Sequence, residues 1–128
     1  MGVVIDKNYT YRLLKCAYEV HSTLGPGLLE SVYEAALCHE LQSQGFEVRH
    51  QVPVKLNYKD LELDVNLRLD IIVDDSVILE LKSVSEIQPV HAKQLLTYMR
   101  LTNIKLGYII NFNEYSLKDG IERVVNNF

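Results

Sequence analysis

The chain has 128 residues and a formal net charge of −4, with 48% hydrophobic and 23% charged residues. This composition is typical of globular proteins and argues against a disordered chain. The acidic balance argues against nucleic-acid binding that depends on total charge alone, so any nucleic-acid site must be local.

The chain lacks the marks of a membrane or secreted protein. No apolar run approaches the ~20 residues of a membrane span, and the N-terminal residues lack the basic-then-apolar pattern of a signal peptide. These features predict a soluble cytoplasmic protein, and the length predicts a single domain over residues 1–128. Cys16 and Cys38 stand alone and the histidines lack ligand spacing, which predicts reduced core thiols rather than a zinc site.

Two helices are predicted in the first third of the chain. Apolar residues recur at helical spacing over residues 9–24, and Asp6 or Asn8 can cap this helix. The Gly-Pro-Gly segment at 25–27 ends it, because glycine suits a helix C-terminus and proline can open the next helix. The second helix is predicted over residues 28–44.

Alternation with a period of two begins at residue 46 and predicts strands. The predicted strands are 46–58, 65–73, 77–82 and 105–111, with turns at 59–60 and 74–76 and a helix at 89–101. The end, 120–128, fits either a short strand or a turn of helix. The resulting α-α-β-β-β-α-β order predicts an α/β fold, or an α+β sandwich, with a mixed β-sheet flanked by helices.

Two acidic residues lie on the strands that flank the turn at 74–76. If this turn is a three-residue loop, Val73 pairs with Val77 and Asp70 lies opposite Glu80. Two carboxylates directly opposite each other are destabilising without compensation. A divalent cation, by contrast, is bound by converging carboxylates.

Strict alternation along the strand puts Leu67, Leu69 and Ile71 on one face and Arg68, Asp70 and Ile72 on the other. Two alternatives to a pair of facing acids remain open. A two-residue loop would instead pair Asp70 with Leu79 and separate the acids. A solvated strand face with ordinary charges is the competing interpretation.

The second helix adds a third acid. At about 100° per residue, Glu30 falls inside the apolar arc, where a carboxylate is costly unless it is paired or bound to metal. Glu34 falls on the rim of the arc and is expected to be exposed, while Glu40 falls near the arc. A salt bridge to a nearby basic residue is the alternative role for Glu30.

The third helix carries a glutamine and a tyrosine one turn apart. Gln94 and Tyr98 share one side, and Gln94 is expected to face protein rather than water. A core-edge amide with a packing tyrosine is the simpler interpretation. Lys93 and Arg100 lie on a different, exposed side, where they serve either phosphate contact or solubility.

These residues form a series that resembles a known family. The sequence GLLESVY at 27–33 matches the signature of the GxxExxY proteins. Asp70 followed by Glu80-Leu81-Lys82 resembles the D…(D/E)xK core of the PD-(D/E)XK nuclease superfamily, with Leu69 where that pattern has proline. The sequence QLLTY at 94–98 resembles the QxxxY motif of its RecB-type and λ-exonuclease-like branch.

The resemblance covers about residues 9–125 and implies a restriction-endonuclease-like core. It also implies hydrolysis of phosphodiester bonds in DNA, or secondarily RNA, with Mg²⁺ or Mn²⁺ as the cofactor. The implied metal ligands are Asp70, Glu80 and the Leu81 carbonyl, with Glu30 binding a metal-bound water or a second metal. Lys82 would orient or deprotonate the attacking water and stabilise developing charge, Gln94 would position the water or the Lys82 region, and Tyr98 would contact a substrate phosphate.

Some alternatives remain within the resemblance. Some RecB-type enzymes use an upstream histidine as a ligand, so His21 is a candidate ligand, with a partly buried structural histidine as the alternative. A non-catalytic nucleic-acid- or protein-interaction module that retains the nuclease fold is the alternative function. Because the chain is small, a homodimer or a partner protein is expected to supply extra binding surface.

Overall fold

The computed structural model describes residues 3–127, apart from the side chains of residues 64 and 65. Within these residues the α-helices are α1 (Lys7–Leu24), α2 (Glu30–Ser43) and α3 (Pro89–Thr102). The strands are β1 (Val48–Tyr58), β2 (Leu61–Val73), β3 (Val77–Lys82), β4 (Leu106–Asn111) and β5 (Ile121–Val125), and a 3-10 helix (Leu117–Gly120) precedes β5. The predicted order is confirmed, and in the C-terminal segment 120–128 the structure has a strand, β5, directly after a 3-10 helix that ends at Gly120. None of the helices in the described part of the chain is both long and apolar enough to cross a membrane.

The strands form one mixed sheet in the order β1-β2-β3-β4-β5. The neighbours β3 and β4 are parallel, and the other neighbouring pairs are antiparallel. Parallel neighbours need a crossover connection, and α3 supplies it between β3 and β4. The fold is therefore an α/β arrangement of a mixed sheet with helices on both faces.

Two apolar clusters cover the opposite faces of the sheet. The larger cluster joins α1 and α2 to inward-facing strand residues that include Ile71, Leu79 and Ile110. The smaller cluster joins Leu95 and Met99 of α3 to Ile72, Ile78 and Ile109. Because these strand residues alternate along each strand, the centre of the sheet is buried on both faces, as expected next to a parallel pair.

The turn between α1 and α2 is held by a buried tyrosine. The Tyr33 hydroxyl donates to the Gly25 carbonyl at 2.5 Å and accepts from the Leu28 N–H at 3.1 Å. The Tyr33 ring stacks on Phe112, with the ring centroids 4.5 Å apart and the planes 8° apart. The backbone at Leu29 is extended, with a ψ of 150°, so α2 begins at Glu30, two residues later than predicted.

We expect Tyr33→Phe to lower the free energy of unfolding by about 1–2 kcal/mol, because the ring still stacks but two hydrogen bonds are lost and the Leu28 N–H loses its partner. Urea unfolding measures this change. The matched control is Tyr115→Phe, at a residue that is 94% exposed. Equal unfolding midpoints for the two variants would contradict the structural role of the Tyr33 hydroxyl.

Candidate active site

The hairpin between β2 and β3 has the register that a three-residue loop predicts. Its residue pairs are Val73 with Val77, Ile72 with Ile78 and Ile71 with Leu79. The Ser76 N–H closes the loop by donating to the Val73 carbonyl at 2.9 Å. The predicted register is confirmed, and the alternative that pairs Asp70 with Leu79 is wrong.

Beyond the last of these pairs, acidic side chains connect the two strands. The Leu81 N–H donates to Asp70 Oδ2 at 2.8 Å, and the Asp70 N–H donates to Glu80 Oε1 at 3.2 Å. Each carboxylate therefore accepts a hydrogen bond from the backbone of the neighbouring strand. These bonds bring the side chains of Asp70 and Glu80 together at the end of the hairpin.

Strict alternation fails on β2 beside Asp70. Leu69 packs in the same cluster as Ile72, whereas Ile71 packs in the cluster of α1 and α2. The prediction that Leu69 and Ile71 share one face is therefore wrong. The neighbouring strand is irregular at the same level, because Gln51 of β1, which lies between the partners of Ile71 and Leu69, has a φ of 50°.

The two hairpin acids carry perturbed pKa values. Glu80 is 9% exposed, and burial, followed by the charge of Asp70, raises its pKa to about 8. Burial also raises the pKa of Asp70, with the hydrogen bond from the Leu81 N–H acting in the opposite direction. The Lys82 ammonium opposes both increases in pKa. The pair therefore resists full ionisation unless a positive charge is added.

The backbone around Lys82 is fixed by β4 and by the loop that follows it. The Phe112 N–H donates to the Lys82 carbonyl at 2.9 Å. The fully buried Asn111 side chain binds both backbone groups of Val84, accepting from its N–H at 3.1 Å and donating to its carbonyl at 2.9 Å. The sequence analysis missed Asn111, because an asparagine at the end of an apolar run is also typical of a turn.

Glu30 and Glu34, on the first turns of α2, have the opposite exposures to those expected: Glu30 is exposed and Glu34 is partly buried. Glu30 is exposed, and its Oε2 accepts from the Ser83 N–H at 3.4 Å. The Glu34 side chain is only 16% exposed, and its Oε1 accepts from the Gln51 amide at 2.7 Å. The expectation that Glu34 is exposed is wrong, because the helical wheel shows the apolar arc of α2 but not the polar groups that β1 brings to its rim.

The predicted residues of α3 divide into a half-buried tyrosine and exposed polar residues. Burial raises the pKa of the Tyr98 phenol, and the charges of Glu80 and then Asp70 raise it further, which places the phenol within electrostatic range of the hairpin acids. Gln94 is exposed, so the expectation that it faces protein is wrong. Lys93 and Arg100 are exposed, as expected.

The candidate ligand His21 is engaged away from the hairpin. It is 9% exposed, and its Nε2 lies 2.7 Å from the Glu114 carbonyl, to which it donates. Its ring also packs near Phe112, with the centroids 6.4 Å apart. These contacts match the structural alternative for this residue.

The donor groups of the hairpin fit a divalent cation that keeps part of its water shell. Across residues 3–127, no three His, Cys, Asp or Glu side chains are arranged to hold a metal ion. Asp70 and Glu80 supply two carboxylates, and in that part of the chain neither forms an ion pair. Since Mg²⁺ is typically bound by one or two carboxylates and several waters, two acids and a neighbouring carbonyl are a sufficient protein donor set.

The chain belongs to the PD-(D/E)XK nuclease superfamily, because the family model matches residues 7–124. No curated protein and no solved structure is significantly similar to the chain. The mixed sheet with flanking helices agrees with the restriction-endonuclease-like core of this superfamily, whose members are generally nucleases that use divalent metals. The match supports the class of the chain and its fold.

The raised pKa of Glu80 predicts how stability depends on pH in the absence of metal. Between the usual glutamate value and about 8, folded Glu80 keeps a proton that the unfolded chain has released. The free energy of unfolding therefore falls as the pH rises through this window. In EDTA, we expect Glu80→Gln to be more stable than wild type at pH 8 by about 2–4 kcal/mol, with little difference at pH 4.5. Parallel stability curves from urea unfolding would contradict this expectation.

Proposed function

We propose that the chain is a metal-dependent nuclease that hydrolyses phosphodiester bonds of DNA, or secondarily RNA, through Asp70, Glu80 and Lys82. The observation that carries the proposal is the pair of hairpin carboxylates, which the backbone holds together in a largely buried place. Burying like charges is unfavourable, and their juxtaposition serves cation binding. In a superfamily whose members are generally nucleases, the same pair supports catalysis.

Asp70, Glu80 and the Leu81 carbonyl would hold the Mg²⁺ or Mn²⁺ ion. When bound, the ion supplies Lewis acidity and lowers the pKa of a bound water. The Lys82 ammonium lies on the strand that carries Glu80, where it can orient the attacking water or help to deprotonate it. Its fixed positive charge also stabilises the negative charge that develops on the phosphate.

The surrounding residues would bind water and substrate. Glu30, exposed beside Ser83, can bind a metal-bound water or a second metal. Gln94 and Tyr98 would position the water and contact a substrate phosphate, in agreement with a place in the QxxxY branch and the GxxExxY subfamily. Lys93 and Arg100 are proposed to extend phosphate binding along the exposed side of α3.

We propose that this single domain acts in the cytoplasm, with a second copy or a partner protein extending its nucleic-acid surface. A binding module that only retains the fold is not favoured, because such a module gains nothing from a buried and a partly buried carboxylate side by side near a lysine. The two functions are distinguished by the effects of metal and of Lys82 on cleavage.

Millimolar Mn²⁺ should raise the melting temperature of the wild type, because a ligand that binds only the folded state stabilises it. At about 100 times the dissociation constant, the gain is about 2.7 kcal/mol, or about 10 °C at this chain length. Asp70→Ala and Glu80→Ala should respond much less in differential scanning fluorimetry. Equal increases in all three proteins would place the metal elsewhere.

Lys82→Ala should lower the rate of cleavage by about two to four orders of magnitude, because the lost ammonium acts mainly on the attacking water and the transition state. Metal binding should survive or become tighter, since a neighbouring positive charge is removed. The assay uses single- and double-stranded DNA and RNA with Mg²⁺, Mn²⁺ or EDTA.

The same variant decides between enzyme and binding module. In a module, Lys82→Ala would remove one phosphate contact, so that affinity and its dependence on salt decrease modestly. Binding without any cleavage by the wild type, across all four substrates and both metals, would favour the module. Lys118→Ala is a suitable control, because Lys118 is exposed on the 3-10 helix.

A further inference from the structure

A second acid of α2 is held on the β1 side of the hairpin. Glu34 Oε1 accepts from the Gln51 amide at 2.7 Å, and Glu34 Oε2 lies 3.5 Å from His50 Nδ1. The Glu34 side chain is 16% exposed, whereas that of His50 is 63% exposed. The carboxylate of Glu34 is therefore fixed in a partly buried position by a neutral amide and an exposed imidazole.

The strand register places this carboxylate near Asp70. On β1, Gln51 lies between His50, which pairs with Ile71, and Val52, which pairs with Leu69. The residue of β2 between these two partners is Asp70, so Gln51 and Asp70 are neighbours across the sheet. Among the acids of α2, Glu34 also has the larger electrostatic effect on the Asp70 carboxyl, ahead of Glu30.

We propose that Glu34 is a positioning residue for the cation, whose fixed negative charge strengthens divalent metal binding by Asp70 and Glu80 without ligating the metal. This inference rests on the metal site of the proposed function. The two acids of α2 then have different roles. Glu30, exposed at the start of the helix, can bind a metal-bound water or a second metal. Glu34, one turn later and enclosed between α2 and β1, acts only through its charge.

The size of the effect follows from Coulomb's law. A unit negative charge near a divalent cation in a partly solvated cleft, screened by salt, changes the dissociation constant by about 3- to 10-fold. The same charge repels Asp70 when no cation is present. Glu34 should therefore act in opposite directions on the metal-free fold and on metal binding.

The test measures Mn²⁺ binding by isothermal titration calorimetry and unfolding of the metal-free protein in EDTA. Glu34→Gln removes the charge but keeps the shape and an acceptor for the Gln51 amide. Glu34→Asp keeps the charge but shortens the side chain and loses that hydrogen bond. Far-UV circular dichroism checks that each variant is folded.

Glu40→Gln is the matched control on the same helix. Glu40 lines a cavity of about 400 Å³ between α1 and α2, together with Arg12, Lys15 and Cys16. Neither Asp70 nor Glu80 lines this cavity, so Glu40 lies away from the proposed metal site. Removing the Glu40 charge should leave the Mn²⁺ dissociation constant unchanged.

The expected result for Glu34→Gln is a Mn²⁺ dissociation constant raised about 3- to 10-fold, with metal-free stability equal to or above that of the wild type. Glu34→Asp should bind Mn²⁺ more tightly than Glu34→Gln. A purely structural role predicts the reverse order, with Glu34→Asp the weaker variant, and overturns the proposal. Equal affinities for Glu34→Gln, Glu40→Gln and wild type also overturn it.

The proposed function fails in a distinguishable way. If Glu80→Ala binds Mn²⁺ as tightly as wild type, or if the wild type does not bind Mn²⁺, the hairpin site itself is wrong and the role of Glu34 falls with it. If Glu80→Ala abolishes binding while Glu34→Gln changes nothing, the site stands and only the role of Glu34 is overturned.

Discussion

The candidate site depends on the hydrogen bonds that acidic side chains make where β2 and β3 stop pairing. Asp70 accepts from the Leu81 N–H, and Glu80 accepts from the Asp70 N–H. Backbone donors in a protein interior need a partner, so neither carboxylate can turn away without leaving an N–H unsatisfied. The acids that repel each other are therefore held together by the backbone of the hairpin that carries them.

Holding two carboxylates together in a largely buried place costs free energy, and the apolar core of the fold offsets this cost. The hairpin acids lie on β2 and β3 of a sheet whose centre is buried by apolar clusters on both faces, and such burial is the main source of folding stability. Burial, and after it the charge of Asp70, raises the pKa of Glu80, so keeping this carboxylate ionised in the folded state is costly. In the proposed function, Glu80→Gln is expected to gain stability without metal near pH 8 and to lose a metal ligand, which is the usual opposition between stability and activity at a functional site.

Local sequence rules predicted the hairpin because its register depends on loop length. A three-residue loop at 74–76 places Asp70 opposite Glu80, and the sequence left only the choice between this loop and a two-residue one. The rules failed where a contact is distant or a dihedral unusual. Gln51 adopts a φ of 50°, which few glutamines do, and its amide then meets Glu34 at the rim of α2. Asn111 bonds to Val84, 27 residues away, and no period in the sequence encodes that contact.

Three successive residues show how the fold holds the backbone at Lys82 without pairing its ammonium with an acid. The Lys82 carbonyl accepts from Phe112, Ser83 bonds through its hydroxyl to the Leu28 carbonyl at 2.6 Å, and Val84 is bound by Asn111. Each bond uses the backbone or a neighbouring residue, and across residues 3–127 the Lys82 ammonium forms no ion pair. The backbone position of Lys82 is therefore fixed by the end of β4 and by the turn that Tyr33 stabilises, which leaves the ammonium able to take the role that the proposed function gives it.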